Sequence, residues 1–104
     1  MSLVIRRAGQ PLPVLEKRAG ESRCYSLNCE MLLEQHELLV AIESANSVSV
    51  DFAKSKIIDN QLEVYIKNEE YTASTPFVER PISLTCRTSQ GFIQASMVLR
   101  VHKY

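Results

Sequence analysis

A chain of 104 residues is long enough to bury one core and too short for two. Its 45% apolar and 23% charged content excludes wholesale disorder, and twelve Lys and Arg against twelve Asp and Glu leave no basic field of the kind nucleic-acid binders use. No run approaches the ~20 apolar residues of a membrane span, and no leader pattern opens the chain, so a soluble, unsecreted protein is expected.

Residues 1–21 read as an extended N-terminal arm with one edge strand over residues 3–6, because Pro11 and Pro13 disfavour a helix or a central strand. The second unit, residues 22–104, carries the domain. From Arg23, Tyr25, Leu27 and Cys29 alternate with Ser26 and Asn28 at the period of a half-buried strand. Residues 30–44 fit two patterns equally: one helix, or a helical turn over 30–35 followed by a strand over 38–43. The apolar run 38–42 does not choose between them. Val48, Val50 and Phe52 alternate with Ser47, Ser49 and Asp51, which predicts a strand; Leu62, Val64 and Ile66 predict another.

Residues 68–81, with two prolines and several small polar groups, predict a long connection beneath which Tyr71 or Phe77 tucks inward. Ile82, Leu84 and Cys86 resume the alternation, Thr88-Ser89-Gln90-Gly91 supplies a hairpin turn, and Ile93, Ala95, Met97, Leu99 and Val101 line the inner face of the last strand. Five or more short strands and one long crossover predict an all-β, antiparallel β-sandwich. The alternative is a small α+β fold with one helix over residues 30–44.

Three stretches carry a family resemblance. They are Lys17-Arg18-Ala19-Gly20-Glu21 leading into Cys24-Tyr25-Ser26-Leu27-Asn28, the strand Leu62-Glu63-Val64-Tyr65-Ile66, and the closing hairpin from Ile82 through Gly91 to Ser96-Met97-Val98-Leu99-Arg100-Val101. Together they resemble the immunoglobulin-like domains of small phage and prophage structural proteins, including those of fibre–tail attachment. This sequence departs from them in having no Trp, with Met31 and Leu32 where a bulky aromatic often follows the first core strand. It also has Asn68-Glu69-Glu70-Tyr71 in place of a Gly-rich connection. The resemblance implies an immunoglobulin-like β-sandwich, a virion component assembled in the host cytoplasm or a cytoplasmic prophage product, and partners that are other phage structural proteins or copies of itself.

The chemistry-bearing residues point away from catalysis. Cys24, Cys29 and Cys86 read as reduced, buried thiols, with a Cys24–Cys86 bridge as the alternative; sequence separation alone cannot bring two Cα atoms within the ~4.4–6.8 Å it needs. Cys24, Cys29 and His36 lack zinc-module spacing. His102 is expected on the polar face of the last strand and His36 in a solvated turn beside Glu34 and Glu37. The adjacent Glu69 and Glu70 are expected to remain hydrated. No phosphate-cradling glycine motif occurs, so no catalytic, cofactor-binding or metal residue is assigned. The basic group Arg6, Arg7, Lys17 and Arg18 and the acidic group Glu30, Glu34 and Glu37 read as solvated surface first and as a docking patch second.

The expected function is therefore assembly. Leu3, Val4 and Ile5, by strand addition to a neighbour, and the outward Tyr65 and Val98 are the interface candidates. The alternative is a non-catalytic recognition domain binding carbohydrate or peptide through its loops, chiefly residues 68–81.

Overall fold

The computed structural model describes residues 3–5, 9–68 and 71–104. Arg6, Arg7, Glu69 and Glu70, named above, lie outside them. The chain is a β-sandwich of two four-stranded sheets. Its strands are β1 (Leu3–Val4), β2 (Val14–Arg18), β3 (Arg23–Asn28), β4 (Leu39–Ala45), β5 (Lys56–Ile58), β6 (Gln61–Ile66), β7 (Phe77–Thr88) and β8 (Gly91–His102). One sheet has the order β1-β3-β6-β5 and the other β2-β8-β7-β4. Most pairings are antiparallel, but each sheet gains one parallel edge, β1 on β3 and β2 on β8.

The alternation seen in the sequence fills the space between the sheets. Leu27, Leu62, Val64 and Ile66 come from one sheet; Leu15, Ile82, Leu84, Cys86, Ala95, Met97 and Leu99 come from the other, and all are buried. The N-terminal segment contributes to both layers. Ile5, just past β1, is fully buried and its N–H donates to the Asn28 carbonyl at 2.8 Å, while Leu15 of β2 lies under the opposite sheet.

Residues 30–44 follow the two-part pattern: a single 3-10 turn over Glu30–Leu32, then β4. The turn starts where the Asn28 side chain accepts the Glu30 N–H at 2.8 Å, a local bond that ends β3.

Two expectations are corrected and one strand is added to them. Residues 48–52 form no strand; only Val50 makes an isolated bridge, to Ile66. Ser47 and Asp51 compete with the ladder for the backbone. The Ser47 hydroxyl takes the Ser49 N–H at 3.1 Å, and the Asp51 side chain takes the Lys54 N–H at 3.3 Å. Residues 56–58 form the added strand, β5, closed onto β6 by the two-residue turn Asp59-Asn60, both with left-handed φ (50° and 60°), the geometry of a type I′ hairpin.

Second, the 68–81 connection is shorter than predicted, because β7 starts at Phe77 and runs through Pro81. Ser83 exchanges bonds with Asn46 at the end of β4, so two residues earlier the absent N–H of Pro81 points to the same side, where β4 has already ended. Tyr71 packs against the core as expected, whereas Phe77 faces outward and is exposed.

Candidate docking surface

The sandwich has two flanks, each made of one edge strand from either sheet, and they differ in chemistry. On the β1–β2 flank the open edge of β2 is closed by its own chain. Pro13 and Ala19 bond to β8, so the main-chain groups of the even residues between them face outward. The Glu16 carbonyl accepts the Tyr25 hydroxyl and the Arg23 guanidinium (3.4 Å); the Arg18 N–H donates to Glu21 Oε1 at 2.8 Å. Lys17, buried, donates its ammonium to the carbonyls of Arg18 (3.3 Å) and Glu21 (3.0 Å). An edge capped in this way at Glu16 and Arg18 is less open to an incoming strand there.

The β4–β5 flank is apolar instead. Leu38 is 56% exposed, Val40 50%, Val48 80%, Phe52 48% and Ile58 42%; Leu38 directly precedes β4, and the others lie on β4, on β5 or on the segment joining them. Phe92, at 67%, lies on the outer face of the same sheet as β4, beyond β7 on β8 and opposite Arg87. Register shifts between Leu39 and Ala41 and between Ile42 and Ser44 leave Val40 and Glu43 without partners on β7, which turns the strand outward there. The polar groups of the flank are of both signs. Glu43 pairs with Arg87 at 3.2 Å, Lys54 lies 4.7 Å from the Tyr65 ring centre, and Lys56 sits on β5 opposite Glu63.

The five interface candidates from the sequence are not brought together. Val4 is exposed and Leu3 half-buried on β1, paired in parallel with the chain's own Asn28 and Leu27, while Ile5 is in the core. Tyr65 is half-buried on the outer face of one sheet, beside Cys24 and beneath Lys54. Val98 is half-buried on the outer face of the other, between Pro81 and Val14. Only Tyr65 borders the apolar flank. The flank residues have one sequence signal: Leu38-Leu39-Val40-Ala41-Ile42 is apolar without alternation, so a strand buried on one face must expose part of it.

A cleft of about 560 Å³ opens at one end of the sandwich, where residues 28–38 meet the Asp59-Asn60 turn. Glu30, Glu34, His36, Asp59, Asn60 and Gln61 line it, and His36 also has a left-handed φ of 65°. Internal bonds hold its walls. Asn60 Oδ1 accepts the Leu39 N–H at 2.7 Å. The buried Glu37 carboxylate accepts the Thr88 hydroxyl and, at 2.8 Å, the Glu34 N–H. The Thr88 hydroxyl and then the Glu34 main chain hold the Glu37 carboxyl below its ordinary pKa.

The thiols divide. Cys29 and Cys86 are buried and free; burial pushes Cys29 up to about 12, with Cys86 adding to it, and Cys86 up to about 11. Cys24, expected to be buried, is exposed on the outer face of β3, with its Sγ 3.7 Å from Glu63 Oε2. One residue of register explains the difference, since Tyr25, Leu27 and Cys29 take the inner side. Cys24 and Cys86 thus do not meet, nor do Cys24 and Cys29 converge with His36.

His102 stands at the far end of β8, its Nε2 3.1 Å from Glu16 Oε1, with Arg100 bridging Glu79 (3.0 Å) and Glu16 (3.4 Å). The exposed Phe77 ring lies 5.2 Å from the Arg100 guanidinium and 6.0 Å from the His102 ring. This network ties β2, β8 and β7 together, and His102 first, then Arg100, lowers the Glu16 pKa.

The chain matches no protein-family model, no curated protein and no solved structure.

Proposed function

We propose that the chain is a non-catalytic docking module of the adaptor kind, which holds a protein partner against its β4–β5 flank. The observation that carries this is the concentration of exposed apolar side chains on one flank, Leu38, Val40, Val48, Phe52 and Ile58, while the edge of β2 opposite is capped at Glu16 and Arg18 by side chains of the same chain. Exposed apolar groups gathered on one surface mark interaction sites more than scattered ones do.

Immunoglobulin-like connectivity belongs to the proposal. Lettered A to G from β2, the sheets run B-E-D and A-G-F-C. That is the immunoglobulin order except that strand A lies on G, with β1 beside B in its place. Membership of a phage or prophage assembly, built in the host cytoplasm, rests on the sequence resemblance.

The absence of catalysis is supported by how the reactive groups are disposed. The core thiols are protonated at neutral pH, and His36 and His102 sit at opposite ends of the sandwich, separated by the length of β8, on the order of 35 Å. Recognition of a peptide or carbohydrate through loops is the second reading. The cleft beside His36 and Asn60 favours it, in place of the 68–81 segment, which is partly strand.

The test is variant-controlled capture from extracts of the cells that express the chain. A partner retained by the wild type and by Phe77→Ser, and lost with Val40→Lys and Phe52→Asp, is the expected result. Capture indifferent to the flank variants, or lost only on Glu34→Gln and Asn60→Ala in the cleft, would overturn the assignment.

A further inference from the structure

We infer that the occupant of the β4–β5 flank is a second copy of this chain, packed flank to flank about a two-fold axis through side chains and not by continuation of a sheet. The inference rests on the docking role proposed above and names its partner.

The charge on the flank is self-complementary. The only charged residue of β4 is Glu43, whereas β5 carries Lys56 and is preceded by Lys54. A two-fold axis between the strands sets β4 of each copy against β5 of the other, bringing Glu43 to Lys56 twice, the reciprocal pattern of an isologous interface. The formal net charge of zero adds no overall repulsion between copies.

The size also fits. A standard interface buries roughly 800 Å² and 20–30 residues on each side. Residues 38–58 with Phe92 are 22 residues, within the number such an interface uses. Val40 and Phe52 are among the exposed apolar groups of this surface, and Glu43 and Lys56 among its charged ones.

Sheet continuation is disfavoured by β4 itself. Its two bulges twist the edge, and its first N–H, at Leu39, is already held by Asn60 Oδ1 at 2.7 Å. Side-chain packing is what remains.

The experiment is sedimentation equilibrium of the full chain up to several hundred micromolar, with melting curves to show that each variant folds. A concentration-dependent dimer is expected, weakened about tenfold or more by Val40→Lys or by Phe52→Asp. Glu43→Lys should weaken it through repulsion from the partner's Lys56, and adding Lys56→Glu should restore it, whereas Phe77→Ser should leave it intact. A strict monomer at the highest concentration, or a dimer indifferent to Val40→Lys and Phe52→Asp, overturns the inference. A monomer whose flank still captures a different protein would overturn the second copy alone and leave the docking role standing.

Discussion

Truncation of Ile5 probes the least obvious feature of the fold, a core side chain supplied by a strand of two residues. Ile5, just past β1, is fully buried, and among the described residues β1 pairs with β3 at Leu3 opposite Leu27 and Val4 opposite Asn28, with the Ile5 N–H on the Asn28 carbonyl. Ile5→Ala removes three carbons, worth about 2.4 kcal/mol at ~0.8 kcal/mol each, with a further cost for the cavity left behind. Because β1 is paired on one side only, it can shift inward and recover part of that space, so a net loss of about 2–3 kcal/mol is expected. For a domain of this length that lowers the melting temperature by about 10–20 °C. Urea unfolding followed by far-UV circular dichroism reads it directly, with a lower midpoint at unchanged slope. A loss below about 0.5 kcal/mol would refute the placement of Ile5 in the core, since only an exposed side chain is truncated so cheaply.

Thiol titration of the native protein with an aromatic disulfide reagent should label the exposed Cys24, at a rate held back because partial burial and Glu63 raise its pKa, and leave Cys29 and Cys86 masked until denaturant is added; three equally fast thiols would contradict the packing. The Glu37 carboxyl has a folded pKa below its unfolded one, so its stabilising contribution is complete above the unfolded value and disappears as the pH falls through the folded value. Thr88→Val should therefore destabilise the protein at neutral pH, and its gap from the wild type should narrow on acidification through the ordinary Glu range near about 4.3; a pH-independent gap would exclude that carboxylate as the cause. In the β5–β6 turn, Asn60→Ala loses the bond to the Leu39 N–H and strains a left-handed residue, costing about 1–3 kcal/mol in denaturant melts. Asp59→Gly should be neutral or slightly stabilising there, and equal effects of the two would contradict the turn geometry.

The β7–β8 hairpin was legible because one rule governs it throughout: each even residue from Ile82 to Thr88, and each odd one from Ala95 to Val101, is buried. Phe77 to Pro81 was hidden because the proline signal assumes a partner on both sides of the strand, and only the end of β4 reveals that none stands there. The alternation at Val48, Val50 and Phe52 misled for the converse reason. Hydrophobic period says nothing about the Ser47 and Asp51 side chains that capture the backbone locally. β5 is too short for a period at all, and its signal was the Asp59-Asn60 pair.

The surface was less legible than the core. Leu3, Val4 and Ile5 read in the sequence as a strand for a neighbour; the chain's own β3 pairs with one side of that strand, which stands at the edge of its sheet, and Ile5 serves the core. What the flank exposes depends on which strands end up at the edges, and that is fixed by long-range topology. Neither Phe52 nor Phe92 carries a local sign of it.

Hydroxyl-radical footprinting of the flank tests the docking assignment most directly, comparing dilute protein with the concentrated or partner-bound state. Oxidation of Leu38, Phe52 and Phe92 is expected to fall on assembly while Phe77 and Tyr104, exposed elsewhere, keep their rates. Unchanged oxidation across the flank, or protection centred on Phe77, would contradict the account.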